Sequence, residues 1–338
     1  MPIGPGMGLN SDSNRSAAAD PALQGICPLC RGGNYRALFA STDRLYCTTD
    51  RVFQIVECSR CGLMRLSPRP NPEELKSYYP ADYWFAPKAE AVGRLEDFYR
   101  RLVVRDHVKF VHRALTSSRE SGLILDVGCG GGLFLRMLRE LGYAAVGLDS
   151  SLGAAGVAWK NNGAPAVCAS LVPSPFMPNT CAAITMFHVL EHLYDPQSYL
   201  EEARTLLRPN GRLIVQVPNA ACWQFVLLRD GWSGLDVPRH LLDFRVRDLE
   251  ALLGQAGFEI LERKHFSLRD NPAGFATSLA PRLDPMARRI RGVRESQSTT
   301  LFKSILYFCL VVASLPFAVL EAACHAGSTI MVEARKKH

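Results

Sequence analysis

The chain has 338 residues, 48% hydrophobic and 21% charged, which is enough for one large domain or two modest ones with a sizeable core. Its 26 glycines and 21 prolines are ordinary, so collagen-like and wholly disordered readings fall away. The net charge of +7 permits an anionic partner without demanding nucleic acid, although +4 of it lies within 282–303, where six basic residues face Asp284 and Glu295.

Residues 1–24 are rich in Gly, Pro, Ser, Ala and Asn without periodicity and read as a disordered leader. No basic stretch followed by an apolar run opens it, so the expected compartment is the reducing cytoplasm. There, paired cysteines suggest a metal before disulfides. Two such pairs, Cys27-x-x-Cys30 and Cys58-x-x-Cys61, stand 27 residues apart in a segment of short β-like runs. Four thiolates at that spacing can close a tetrahedron around Zn²⁺, so 25–66 is predicted to be a zinc ribbon with a structural role. Gly32, Gly33 and Gly62 would allow the tight turns that aim backbone amides at sulfur.

A Pro- and Tyr-dense stretch over 67–94 reads as an ordered linker, and a helical apolar stripe runs from Leu95 to Leu115. Strand-like runs then alternate with helical ones: Leu123–Val127, Leu133–Leu141, Ala144–Leu148, Gly153–Asn161, Ala166–Cys168, Ala182–Phe187, Gln197–Leu207 and Arg212–Val217. Continuous apolar strands separated by helices predict an α/β fold with a parallel sheet covered on both faces.

The first of these strands runs into Gly128-Cys129-Gly130-Gly131-Gly132. A dinucleotide fingerprint would need glycine at Leu133, so the pattern is instead Asp126-x-Gly128-x-Gly130-x-Gly132. It fits a ligand whose cationic amino acid portion lies against Asp126. Asp149, 23 residues further on at the end of the next strand, can accept hydrogen bonds from both hydroxyls of a ribose.

Residues 121–267 resemble the class I S-adenosylmethionine-dependent methyltransferases, especially the branch near the ubiquinone-type O-methyltransferases. LILDVGCGGG at 123–132, GLDSS at 147–151, HVLEHLYDP at 188–196 and LRPNGRLIVQVPN at 207–219 carry the resemblance. It implies a Rossmann-like sheet of seven strands, the last antiparallel. It also implies S-adenosylmethionine held by Asp126, Gly128, Cys129, Gly130, Gly132, Asp149, Ser150 and Phe187. Many relatives place an adenine-binding acid where this chain has Cys168-Ala169-Ser170, which leaves Ser170 as a weaker acceptor. The ribbon followed by SPRPNPEELKSYYPADYW is similar to zinc-ribbon methyltransferases associated with polysaccharide genes.

His188, at a strand end, and His240, after Trp223 and Trp232, are the candidate general bases for a hydroxyl acceptor. Glu191 and His192 are similar to an ExxEH metal motif, but His188 replaces its first Glu, so a capping role suits Glu191 better. The leading reading is O-methylation of a sugar, glycan or lipid-linked glycan. The alternatives are an RNA methyltransferase that uses the ribbon, and a non-catalytic cofactor-binding adaptor. The ribbon's arginines are interspersed with acids, which makes a nucleic-acid partner the weaker reading.

In the tail, Ser304–Leu320 is uncharged and contains Pro316, while 328–333 reads as the last strand. The basic and apolar segment 280–326 is therefore expected as an insertion before that strand. Two placements stay open: a core helix over the acceptor pocket, or an interfacial element through 282–324 touching the inner face of a membrane.

Overall fold

The computed structural model describes residues 25–79 and 91–337, with only the backbone described over 91–99. The expected leader 1–24 and the linker stretch 80–90 lie outside those residues. Three strands open the described chain, β1 (Tyr35–Ser41), β2 (Phe53–Cys58) and β3 (Met64–Ser67), followed by α1 (Pro72–Ser77) and α2 (Ala91–Ser118). Next come β4 (Leu123–Val127), α3 (Leu133–Glu140), β5 (Ala145–Asp149), α4 (Leu152–Asn162), β6 (Ala166–Cys168), β7 (Cys181–Phe187), α5 (Pro196–Leu206) and β8 (Leu207–Pro218). The chain continues through α6 (Trp223–Leu228), β9 (Leu242–Asp243), α7 (Val246–Gln255) and β10 (Phe258–Lys264). It closes with α8 (Asn271–Leu279), α9 (Pro285–Ile290), α10 (Gln297–Ala323) and β11 (Thr329–Lys336).

Seven strands form the main sheet in the order β10-β11-β8-β7-β4-β5-β6. The five from β4 to β8 run parallel, and β11 is antiparallel to both of its neighbours. Residues 181–186 of β7 are all buried, as an inner strand with helices on both faces requires. From β4 the chain moves outward to β5 and β6, then returns to place β7 on the other side of β4. That reversal opens a crevice beyond the carboxyl ends of β4 and β7, where open α/β sheets bind ligands.

Local chemistry sets the helix boundaries. Asp195 caps α5 by accepting from Ser198 N at 3.3 Å, with Pro196 in the first turn. Strand β8 begins five residues before the predicted Arg212, because Leu207 already pairs with Cys181 and the Arg208–Gly211 stretch is taken up at an irregularity in the register. The segment between β10 and β11 holds α8, α9 and α10, so the expected insertion does precede the last strand.

The ribbon has no core of its own. Phe53, Ile55, Leu63 and Leu66 share one buried cluster with Leu241, Leu242, Phe244 and Leu249. Burying each such side chain contributes about 1.5–3 kcal/mol. Its antiparallel sheet also recruits β9, which pairs Arg65 with Leu242 and Met64 with Asp243.

Arg239 completes the union. Its fully buried guanidinium donates to Asp43 of the ribbon at 2.8 and 3.1 Å and to Asp236 at 2.8 and 3.0 Å. It also lies over the Tyr46 ring at 4.4 Å. Burial alone would raise the Asp43 carboxyl, but hydrogen bonds and charge from Arg239 outweigh it and hold the group below its ordinary value. Removing one partner of a buried pair leaves uncompensated charge. Arg239→Met should therefore cost about 3–5 kcal/mol of unfolding free energy in a urea titration. A loss under about 1 kcal/mol would show that the clamp carries little of the stability.

Candidate functional site

The four ribbon cysteines converge, with their sulfurs within 4.8 Å of one another. Cys27 Sγ lies 3.5 Å from Cys61 Sγ, and Cys30 Sγ lies 3.5 Å from Cys58 Sγ. Backbone amides of Leu29 and Cys30 face the Cys27 sulfur, and those of Arg60 and Cys61 face Cys58. At Cys58, burial raises the thiol, yet those amides outweigh it and bring the group down to about 6, so a thiolate forms readily. Gly62 takes the left-handed turn of the second knuckle, but in the first that conformation falls on Arg31, not on a glycine as expected. Donor type and spacing fit Zn²⁺ in a closed site. Purified protein should hold one zinc per chain by elemental analysis, lost in Cys58→Ser; less than about half an equivalent in unchelated protein would refute the site.

At the switch point, Gly128, Gly130 and Gly132 all have positive φ. A Cβ on Gly128 would come within 2.6 Å of Val189 Cγ2, and one on Gly132 within 2.7 Å of Ala158 Cβ, so the turn tolerates only glycine there. Asp149 accepts from Gly130 N at 3.0 Å and from Ser151 N at 2.8 Å, through different oxygens, which leaves each oxygen a further lone pair. Asp126 accepts from Thr185 Oγ1 at 2.6 Å. Burial lifts its carboxyl to about 7, opposed by the Thr185 bond and aided by the charge of Asp149. Burial likewise raises Asp149 against its two amide bonds. Two buried acids beside a glycine turn fit a ligand with a cationic amino acid end and a ribose, because positive charge restores their ionised forms.

The remaining expected contacts divide. Phe187 stands at the end of β7, edge-on to His107 at 4.9 Å and to Phe134 at 5.1 Å. Ser150 is exposed beside Asp149. The Cys129 side chain points instead into the core, where a Cβ on Gly147 would meet its sulfur at 2.4 Å, so only its backbone faces the turn. Ser170 Oγ bonds Tyr199 Oη at 2.8 Å and accepts from Val172 N at 3.2 Å, which leaves it at most one further bond for adenine.

His188 follows β7 directly and sits at φ +57°, a conformation that costs about 1–3 kcal/mol outside glycine. Its amide donates to Gln216 O at 2.8 Å, and its Nδ1 lies 3.1 Å from Glu191 Oε1. On the other side, Nε2 lies 3.6 Å from Asp270 Oδ2. Burial alone would lower the imidazole, but Asp270 and Glu191 outweigh it and lift it to about 9. Gln216 Nε2 lies 3.1 Å from His188 Nε2, on the side that Asp270 faces. Asp270 also accepts from Gln216 Nε2 and Ser267 Oγ, each at 2.6 Å. Asp270 belongs to no motif in the sequence, and the fold alone brings it to His188.

His240 neighbours His188 through Glu191, whose carboxylate bonds His188 and places an oxygen within 4.8 Å of a His240 ring nitrogen. Its Nδ1 donates to Gly234 O at 2.8 Å, and its ring meets that of His192 edge-on at 4.7 Å. Burial and His192 press it down to about 4, so it is neutral. His192 Nδ1 lies 3.0 Å from Arg239 O and donates to it. Glu191, His192 and His240 nonetheless place one ligand atom each within 4.8 Å, and Glu191 Oε2 is buried without a hydrogen-bond partner among the described residues.

Residues 98–263 match the profile of a family described as a methyltransferase domain. The ubiquinone biosynthesis O-methyltransferase of Azorhizobium caulinodans is 30% identical over 177 residues, covering 49% of this chain and 69% of that protein. Its namesake in Pectobacterium carotovorum is 26% identical over 182 residues, or 50% and 76% of the two chains. The mitochondrial enzyme of Schizosaccharomyces pombe is 33% identical over 99 residues, which cover 27% of this chain and only 36% of that protein. Among solved structures, the 1,6-didemethyltoxoflavin-N1-methyltransferase of Burkholderia thailandensis is 15% identical with a TM-score of 0.46, covering 87% of this chain and 98% of that one. With 69% of a 30%-identical relative covered, and a sheet whose order and single reversed strand match the expectation, the chain belongs to the class I S-adenosylmethionine-dependent methyltransferases, as a distant homologue of the ubiquinone biosynthesis O-methyltransferases.

Proposed function

We propose that this methyltransferase acts on a hydroxyl of a sugar, glycan or lipid-linked glycan, with His188 as its general base. The observation that carries this reading is the placing of His188 at the end of β7, between Glu191 and Asp270 and beside the glycine turn. When bound, S-adenosylmethionine supplies a methyl group on positively charged sulfur, open to in-line displacement. Asp149 would hold the ribose and Asp126 would face the amino acid end. In its neutral form, with no proton on Nε2, His188 would accept the proton of the acceptor hydroxyl there. Glu191 and Asp270 then stabilise the imidazolium that forms.

Several features support a hydroxylated acceptor. Asp270, whose side chain is 19% exposed, offers a carboxylate beside His188. The named relatives are O-methyltransferases. The RNA reading gains little from the ribbon, because its arginines serve the protein itself. Arg36 pairs with Glu57 at 2.7 Å, Arg51 pairs with Glu74, and Arg65 lies over the Tyr35 ring at 4.9 Å.

A second reading rests on Glu191, His192 and His240. One carboxylate and two imidazoles at that spacing suit a divalent cation that would polarise the acceptor hydroxyl. Chelation separates the two readings: turnover that survives it keeps His188 as the base, and turnover restored only by added Mg²⁺ or Mn²⁺ favours the cation.

Asp149→Ala should weaken S-adenosylmethionine binding at least tenfold in calorimetry while circular dichroism is unchanged, since it removes charge-assisted bonds worth about 1.5–3 kcal/mol each. Unchanged affinity would dismiss the ribose assignment. His188→Ala should lower turnover about 10²–10⁴-fold with cofactor affinity retained. The assay is transfer of labelled methyl to polyprenyl-linked glycans and sugar nucleotides, with RNA in parallel. Near-normal turnover in the variant, or label found only in RNA, would contradict the proposal.

A further inference from the structure

Helix α10 is built inside out. A helix on a soluble domain turns its polar residues to water and its apolar stripe to the core. Here Leu301, Phe302, Ile305, Phe308, Val312 and Leu320 face outward, between 48% and 67% exposed. Phe302, Ile305, Phe308 and Val312 follow one another at three to four residues and make one stripe, which Leu320 continues two turns further on. The polar side chains point in. Tyr307 Oη bonds Thr277 Oγ1 at 2.8 Å and donates to Asp284 at 3.3 Å, and Ser304 Oγ accepts from Arg288 at 2.9 Å. Near the other end, Glu321 is fully buried and accepts from the backbone and side-chain nitrogens of Gln224, both at 2.9 Å.

These inward bonds fix how the stripe can be used. At 27 residues the helix is long and apolar enough to cross a bilayer. It is nevertheless tied to the protein near both ends, and in its second half Phe317 stacks on Phe275 of α8 at 4.5 Å. Crossing a bilayer would carry Glu321 and Tyr307 into hydrocarbon and strip them of their partners. Lying flat keeps every inward bond and buries the stripe.

Charge selects the occupant. Arg282, Arg289 and Arg294 are exposed just ahead of α10. From Ser296 to Ala326 the only acid is the buried Glu321. At the far end, Arg263 and Lys264 beside the helix are already paired with Glu250 and Asp106, so the available charge lies in the basic turn. A second copy of the chain would bring no exposed acid along its own stripe to meet the arginines, whereas anionic lipid headgroups would meet them.

We propose that α10 and the basic turn before it form a monotopic anchor, docking the enzyme on an anionic bilayer with the helix lying in the interface. This docking does not depend on the identity of the acceptor, and it can be tested without methyl transfer.

The test is flotation of the full chain with vesicles of phosphatidylcholine alone or mixed with phosphatidylglycerol. Wild type should float with the mixed vesicles and far less with the neutral ones, and high salt should weaken its binding. Ile305→Glu with Phe308→Glu should cut the bound fraction at least tenfold, and Arg282→Glu with Arg294→Glu should cut it for mixed vesicles only. Calorimetry of S-adenosylmethionine binding, unchanged in every variant, separates loss of docking from loss of fold. Wild type that stays unbound with both vesicle types overturns the proposal. So does a dimer in sedimentation velocity that Ile305→Glu with Phe308→Glu splits while vesicles recover no protein, since a second copy would then cover the stripe. Equal flotation on both vesicle types would overturn the part assigned to the arginines.

Discussion

A guanidinium with no access to water must find its partners inside the protein, and Arg239 finds them on two parts of the chain at once. Asp43 comes from the ribbon, and Asp236 from the segment that leads into β9. Once that charge is placed, residues 236–241 have little freedom. Arg239 O receives the His192 ring nitrogen at 3.0 Å, and Leu241 N donates to Glu191 O at 2.8 Å. Glu191 in turn holds His188. The ribbon therefore reaches His188 through a short series of hydrogen bonds, and a metal that stiffens the ribbon would also stiffen that end of the sheet. A replacement of similar volume without charge on all three groups could pack as stably, so the clamp's distinctive contribution is registration of one unit on the other.

The crevice concentrates acids. Asp126, Asp149, Glu191 and Asp270 gather near the carboxyl ends of β4, β5 and β7, and each bears a desolvation cost. The protein meets that cost unevenly. Glu191 is held below its ordinary value because His188 outweighs its burial, and Asp270 because Arg269 first and then His188 outweigh its burial. The stability they contribute is present above the unfolded carboxylate range and is lost as pH falls through it. Asp126 and Asp149 lack such a partner and are raised. A cationic cofactor would supply what the protein withholds, which makes the cradle selective for positive charge before any shape is considered.

Short-range chemistry could be read directly from residue order. The CxxC pairs, the glycine turn between strand and helix, and the alternation of apolar strands with helices are all set within about a dozen residues, and each stands where expected. Partners brought together by the fold could not be read this way. Asp43 and Arg239 are 196 positions apart, and Asp270 lies 54 positions from the glutamine it binds. Likewise, nothing in the sequence reveals that Tyr199 comes within 2.8 Å of Ser170. Helix α10 shows the same limit in another form. Lys303, Tyr307, Ser314 and Glu321 recur on one face, so a polar stripe was present in the sequence. Periodicity tells which residues share a face but not which face meets the protein, and here the polar one does.

A crystal structure of the chain with S-adenosylhomocysteine bound tests this account most directly. The account predicts both ribose hydroxyls on Asp149, the amino group toward Asp126, and the sulfur facing the side of the crevice where His188 stands between Glu191 and Asp270. A cofactor seated elsewhere, or one whose sulfur turns away from His188 toward α4, would contradict it.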